Sequence, residues 1–117
     1  ISHPGEEGKK KIRKMMGSLR QNPPQSLGGF KTLHQIDIMN DIQKDLLNQS
    51  QKKGPGLPQS NVILLELEEE NRIIARPSGT EPKIKLYFNL CGEDIDLLEN
   101  RLSHIKQDLN GYLKTSI

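Results

Sequence analysis

Between Arg76 and Tyr87 the chain reads RPSGTEPKIKLY, gathering a guanidinium, two hydroxyls, a glycine and lysines around a pair of prolines. Those donors and cations are what a phosphate dianion needs: converging hydrogen bonds plus compensating positive charge. Arg76 offers a planar fork that can meet two oxygens at once. Ser78 and Thr80 add hydroxyl donors. Gly79 can take a positive φ, which would turn successive backbone N–H groups inward as an anion nest. Lys85, just inside the next strand, can lean toward the same loop mouth, and Pro77 and Pro82 reduce the entropy lost on ordering. Well-formed hydrogen bonds to a charged group contribute about 1.5–3 kcal/mol each, so a few would hold a sugar phosphate. A second reading of the same residues is a hairpin loop whose Ser and Thr satisfy local backbone groups. The pattern G-x-x-x-x-G-K-[ST] occurs nowhere, so the loop is not a nucleotide P-loop.

The remaining residues offer little other chemistry. His3, His34 and His104 are scattered without metal-ligand spacing. Glu66, Glu68, Glu69 and Glu70 sit on a strand end and turn, where solvation accounts for them better than metal binding. Ser78 has no neighbouring base and reads as a donor, not a nucleophile. No catalytic residue, metal ligand or cofactor is expected in this chain. Cys91 is the one cysteine, which excludes an internal disulfide and fits a reducing, cytoplasmic setting. No apolar run approaches the roughly 20 residues of a membrane span, and no signal-peptide pattern opens the chain, so no membrane partner is expected. The sequence starts without Met, which suggests a fragment or a processed product.

A net charge of +2, from 17 basic and 15 acidic residues, is too balanced to announce a nucleic-acid partner. The cluster Lys9, Lys10, Lys11, Arg13 and Lys14 could still touch nucleic acid or lipid head groups. Without interleaved aromatics it also reads as the solvated side of an amphipathic helix. A non-catalytic interaction module, binding nucleic acid or protein through this helix, is the alternative function.

These groups need elements to hold them. Pro4-Gly5-Glu6-Glu7 reads as a helix start, and Ile12, Met15, Met16 and Leu19 form one apolar face that should stop by Asn22-Pro23-Pro24. Leu27-Gly28-Gly29 is a turn into a strand over 30–39, with Leu33, Ile36 and Ile38 available for burial. Residues 40–59 read as a long loop or partly ordered excursion. A meander of three strands follows: 61–69 with Ile63, Leu65 and Leu67 on one face, then 72–76, then 83–90 with Ile84, Leu86, Phe88 and Leu90 alternating. A closing helix from near Glu93 carries the stripe Ile95, Leu98, Leu102, Ile105, Leu109 and Tyr112. The fold class is α+β, a four-stranded antiparallel sheet with helices packed on it. Residues 1–29 form a lead-in segment, and 30–117 the domain proper, with an excursion over 40–60.

RPSGTEPKIKLY closely resembles the phosphate-binding loop in the C-terminal domain of the α-D-phosphohexomutases, the phosphoglucomutases and phosphomannomutases. PGEEGKKKIRKMMGSLRQNPP followed by GG is similar to the segment leading into that domain in the long phosphoglucomutase and phosphopentomutase type. The resemblance covers essentially the whole chain, 40–59 being most divergent, and implies a TATA-binding-protein-like fold. It also implies that Arg76, Ser78, Gly79 and Thr80 grip the substrate's phosphate, supported by Lys85. The family's reaction moves a phosphoryl group between two positions of a hexose or pentose by way of a phosphoserine and Mg²⁺. The serine loop, the aspartate cluster for Mg²⁺ and the sugar-reading loop of that family have no counterpart here. The resemblance therefore implies a chain inactive alone, with a sugar phosphate and the parent enzyme's remaining domains as partners.

Overall fold

The computed structural model describes residues 4–116; the expectations that touch Ile1, Ser2, His3 and Ile117 lie outside the described residues. The alternation read from the sequence produces β5 (Ile63–Leu67), β6 (Arg72–Pro77) and β7 (Ile84–Asn89), paired as an antiparallel meander. Burial is one-sided. Ile63, Leu65, Leu67, Ile73 and Ala75 face a shared core, with Ile84, Leu86, Phe88 and Leu90 packed against it. Two helices cover that face: α1 (Pro4–Gln21) lies over β5 and β6, and α2 (Ile95–Thr115) supplies Ile105, Leu109 and Leu113. The chain is an α+β domain.

The sheet is wider than four strands. β1 (Ser26–Leu27) and β2 (Phe30–Asp37) precede a hairpin of β3 (Ile42–Asp45) and β4 (Ser50–Lys53), giving the order β4-β3-β2-β5-β6-β7 with β1 paired to β2. The expected four are β2, β5, β6 and β7, side by side. The hairpin occupies most of the stretch read as a loop or excursion. Its strands, IQKD and SQKK, lack apolar alternation because they sit at the sheet edge, where no residue of β3 or β4 is buried. Ladder hydrogen bonds and a pinned turn hold them instead: Asp45 Oδ1 accepts from the amides of Leu47 (3.1 Å) and Asn48 (3.0 Å). The lysines on β4 also discourage a further strand from pairing there.

β2 buries polar side chains where Leu33 and Ile38 were expected. Thr32, Gln35 and Asp37 point to the helix side, and Leu33 and Ile38 are half-buried. A register shift between Thr32 and His34 contributes, and α1 explains the choice of residues. The last turn of a helix leaves carbonyls without partners. Gln35 Nε2 donates to the Leu19 and Arg20 carbonyls, and Lys44 Nζ to Arg20 O at 3.1 Å. Asp37 receives Arg20 Nε at 3.1 Å and Asn40 Nδ2 at 2.7 Å, while Arg20 Nη2 reaches Asn61 Oδ1 at 2.7 Å. The C-terminus of α1 is thus clamped onto the sheet.

The other half of α1 meets the loop after β6. A Cβ on Gly8 would stand 2.6 Å from Pro82 Cβ, so the helix backbone and the proline ring are in direct contact. Gly17, farther along, faces open space. The basic residues Lys9, Lys10, Lys11, Arg13 and Lys14 occupy the exposed side, and Met16 and Leu19 are buried. α2 begins at an Asp94 cap whose carboxylate accepts from the amides of Asp96 and Leu97. Only part of its expected stripe is covered: Leu98, Leu102 and Tyr112 are half-buried, whereas Ile95 is 70% exposed, because the first turns project past the sheet. Gly28, with φ 59°, lets the β1–β2 turn sit against Ile105, where a Cβ would approach to 2.7 Å.

Burial pushes the Asp37 carboxyl up, but hydrogen bonds from Asn40 and Arg20 and the Arg20 charge outweigh it and hold the group below the usual aspartate range. A carboxyl depressed in the folded state stabilises above its unfolded pKa, roughly 3.9, and that contribution is lost as pH falls through the lower folded value. Asp37→Asn should cost about 1.5–3 kcal/mol at pH 7 and flatten the fall of Tm below about pH 4, read by thermal melts across pH. Gly17→Ala should stabilise by about 1 kcal/mol through helix propensity. Gly8→Ala should forfeit that gain and shift the amide resonances of Gly79, Thr80, Glu81 and Lys83.

Candidate anion-binding loop

The six-pair ladder of β6 and β7 sets the geometry of the loop. Arg72 opposes Asn89, Ile74 opposes Tyr87, Arg76 opposes Lys85, and Pro77 opposes Ile84 at the mouth. Ile73 and Ala75 go to the core, so Ile74 and Arg76 stand on the face away from the helices, with Lys85 and Tyr87 beside them. Arg76 and Lys85 are therefore brought together as cross-strand partners, both exposed, directly below the turn that carries Ser78, Gly79 and Thr80.

The turn is closed by its own hydrogen bonds. Ser78 N donates to Lys83 O at 2.8 Å, Lys83 N donates to Glu81 O at 2.8 Å, and Glu81 N donates to Ser78 Oγ at 3.2 Å. The nest is narrower than the sequence suggested, because the Ser78 and Glu81 amides are taken. Among the described residues the Gly79 and Thr80 amides have no acceptor, and both residues are exposed. Ser78 Oγ accepts from Glu81 N and keeps its own proton to donate. Gly79 does not take the positive φ expected of it; the glycines that do are Gly28, Gly29 and Gly56. The Ser78-to-Lys83 bonds shape the turn without it. A Cβ on Gly79 would meet nothing within 4 Å, so neither conformation nor packing inside this chain calls for glycine there.

Charge at the mouth is uncompensated. Lys83 pairs with Glu81 at 3.1 Å, but among the described residues neither Arg76 nor Lys85 forms an ion pair. Arg76 instead lies over the ring of Tyr87, with Cζ 5.6 Å from its centroid. Tyr87 passed in the sequence as one more polar position of an alternating strand. Its position diagonal to Arg76, the second residue after Lys85, was the signal that could have singled it out.

Larger clefts lie at the other end of the strands. One of about 540 Å³ is lined by residues including His34, Glu66, Arg72 and Cys91, and one of about 780 Å³ runs past Lys31 and Leu47. In the first, Glu66 is already shared between His34 Nδ1 (3.5 Å) and Arg72 Nη2 (3.4 Å), and Glu70 lies 3.6 Å from the Cys91 thiol. Asn71, fully buried beside it, ties the β5–β6 turn to the end of β7: its amide donates to Glu68 O and its carbonyl accepts from Cys91 N. Among the described residues no group of three or more His, Cys, Asp or Glu could hold a metal ion. No helix among them is long and apolar enough to cross a membrane.

A family model described as phosphoglucomutase/phosphomannomutase, C-terminal domain, matches residues 30–96. The chain is similar to a phosphoglucomutase of Staphylococcus aureus strain MRSA252, 41% identical over 103 residues that make up 85% of this chain and 18% of that protein. It is also similar to a phosphoglucomutase of Staphylococcus haemolyticus, 33% identical over 109 residues, covering 93% of this chain and 18% of the relative. The chain thus spans under a fifth of the length of the curated relatives it matches. No solved structure matches it. An α+β domain with this strand order, matched over residues 30–96 and across most of its length, belongs to the phosphoglucomutase/phosphomannomutase family as a C-terminal domain.

Proposed function

We propose that the chain is the phosphate grip of a phosphosugar mutase. It holds the phosphate that is not being transferred while another domain's phosphoserine exchanges a phosphoryl group with the sugar. The observation that carries this reading is the Arg76–Lys85 pair: two exposed cations facing each other with no carboxylate partner among the described residues, beneath a turn with two amides that have no acceptor among them. Like charges directly opposite on a sheet repel. An anion between them would reverse the sign of that interaction.

Each group then has a role. The Gly79 and Thr80 amides and the Ser78 and Thr80 hydroxyls donate to phosphate oxygens. Arg76 meets two oxygens, and Lys85 supplies a point charge. Gly79 is glycine because a phosphate must approach the backbone where a Cβ would stand. Contacts confined to phosphate suit an intermediate that turns over and presents either of its two phosphates. Mg²⁺ enters this reading only as an ion held by other domains, where it would neutralise charge on the transferring group. On this reading the phosphoserine lies in another domain, so the isolated chain is inactive alone, and sugar identity is read elsewhere.

Titration of the 117-residue chain with glucose 1-phosphate, followed by NMR, should move the Gly79 and Thr80 amides with a Kd on the order of millimolar. Arg76→Ala should weaken that binding roughly tenfold or more, and in the parent enzyme should lower kcat/KM by at least as much. Gly79→Ala should leave Tm within about 1 °C while weakening binding several-fold, since an exposed substitution in open space changes stability little. Shifts confined to residues 9–14, with the loop amides still, would sink the proposal in favour of the basic helix.

A further inference from the structure

We propose that Tyr87 is the positioning residue of Arg76, its ring restraining the plane of the guanidinium while leaving every N–H donor and the full charge available. The inference rests on the anion-grip reading above and adds a residue to it.

An exposed arginine carries about 2 kcal/mol of rotamer entropy, and an anion site built on a wandering side chain would lose much of its worth on ordering it. A carboxylate partner is the common way to hold a guanidinium, but it would occupy the same donors and cancel the same charge that the anion needs. A ring face restrains the plane through its quadrupole and consumes neither. The sheet supplies that geometry. Lys85 is directly across from Arg76 and repels it, and Tyr87 is diagonal to Arg76 on the same face. The guanidinium leans over the ring at 5.6 Å.

Arg101 shows the contrast within the same chain. It also lies over a ring, that of Phe30 at 4.7 Å, but its guanidinium donates to Cys91 O at 2.8 Å and stands 4.0 Å from Glu69. Its donors are spent on the fold. Among the described residues Arg76 has the ring alone. The Tyr87 hydroxyl has no hydrogen-bond partner among them either, so the ring face is what Tyr87 offers to Arg76. At 47% exposure the side chain is also poorly placed to act as core.

The test is a phosphate titration of the full 117-residue chain by NMR, using inorganic phosphate and reading the Gly79 and Thr80 amides and the Arg76 Nε–H resonance. Tyr87→Leu should weaken binding about two- to five-fold, the equivalent of one exposed cation–π contact, and should remove the ring-current displacement of the Arg76 Nε–H signal. Tyr87→Phe should restore both. In a chain already carrying Arg76→Ala, Tyr87→Leu should change nothing further. Three outcomes overturn the inference: equal loss from Tyr87→Phe and Tyr87→Leu, which makes the hydroxyl the active group; loss from Tyr87→Leu that persists beside Arg76→Ala; or no loss from Tyr87→Leu. If Arg76→Ala itself leaves phosphate binding intact, the anion grip fails and the positioning role with it. A ring-current displacement that survives in that case, in the chain retaining Arg76 and Tyr87, separates this failure from the others.

Discussion

The pleat of β6 and β7 sends Ile73, Ala75, Ile84, Leu86 and Phe88 toward the helices and leaves Arg76, Lys85 and Tyr87 on the open face. Burying a large aliphatic or aromatic side chain contributes about 1.5–3 kcal/mol, and several such positions share this register. A slip of one residue would turn all of them outward and drive a guanidinium and an ammonium into an aliphatic core. The register that makes the core is therefore also the one that aims two cations at one turn. No separate force is needed to assemble the mouth; the hydrophobic effect on one face fixes the electrostatics of the other.

The clamp at the far end of α1 extends that constraint to the loop. Gln35, Asp37 and Lys44 satisfy the last carbonyls of the helix and its Arg20, so α1 cannot slide along the sheet without stranding buried polar groups. With one end fixed, the rigid helix carries Gly8 against Pro82 at the exit of the turn. The Ser78–Lys83 bond then closes the same turn from within. Tyr112 ties the closing helix to the clamped end of α1, its hydroxyl donating to Asn22 O at 2.6 Å. The polar interior of β2 is thus a structural element, fixing the helix whose other end contacts that loop.

Alternation at period two was legible in β5, β6 and β7 because each has one apolar face and one polar face, and the apolar faces are those the helices cover. The turn between β6 and β7 was legible from its prolines and hydroxyls. The β3–β4 hairpin was not, because a strand solvated on both faces has no hydrophobic pattern to read, and its turn is held by one carboxylate, that of Asp45. Gln35 and Asp37 look solvent-facing in a list of residues; only the position of α1's C-terminus makes them interior. The α2 stripe misled at Ile95 because periodicity reports which side of a helix is apolar and not how far the covering sheet extends. Gly79 was assigned a conformational duty that the turn's own hydrogen bonds discharge.

That last difference sharpens what the loop is for. A glycine demanded by backbone geometry says nothing about a ligand, since the turn would need it with or without one. Here Gly79 lies outside the positive-φ region and a Cβ there would meet nothing within 4 Å, so on the proposed reading glycine preserves clearance above two amides that have no acceptor among the described residues. Clearance matters only to something that arrives from outside the chain. The mouth is also open: it is a turn on a flat face, not a cleft, and on the proposed reading the residues that wall it in lie in the four-fifths of the relatives' length that this chain does not span. As a phosphate grip, such an open and charged mouth would bind weakly alone and gain its selectivity from whatever closes over it. On the proposed reading, that division lets one loop hold either phosphate of a turning intermediate, because the loop itself never meets the sugar.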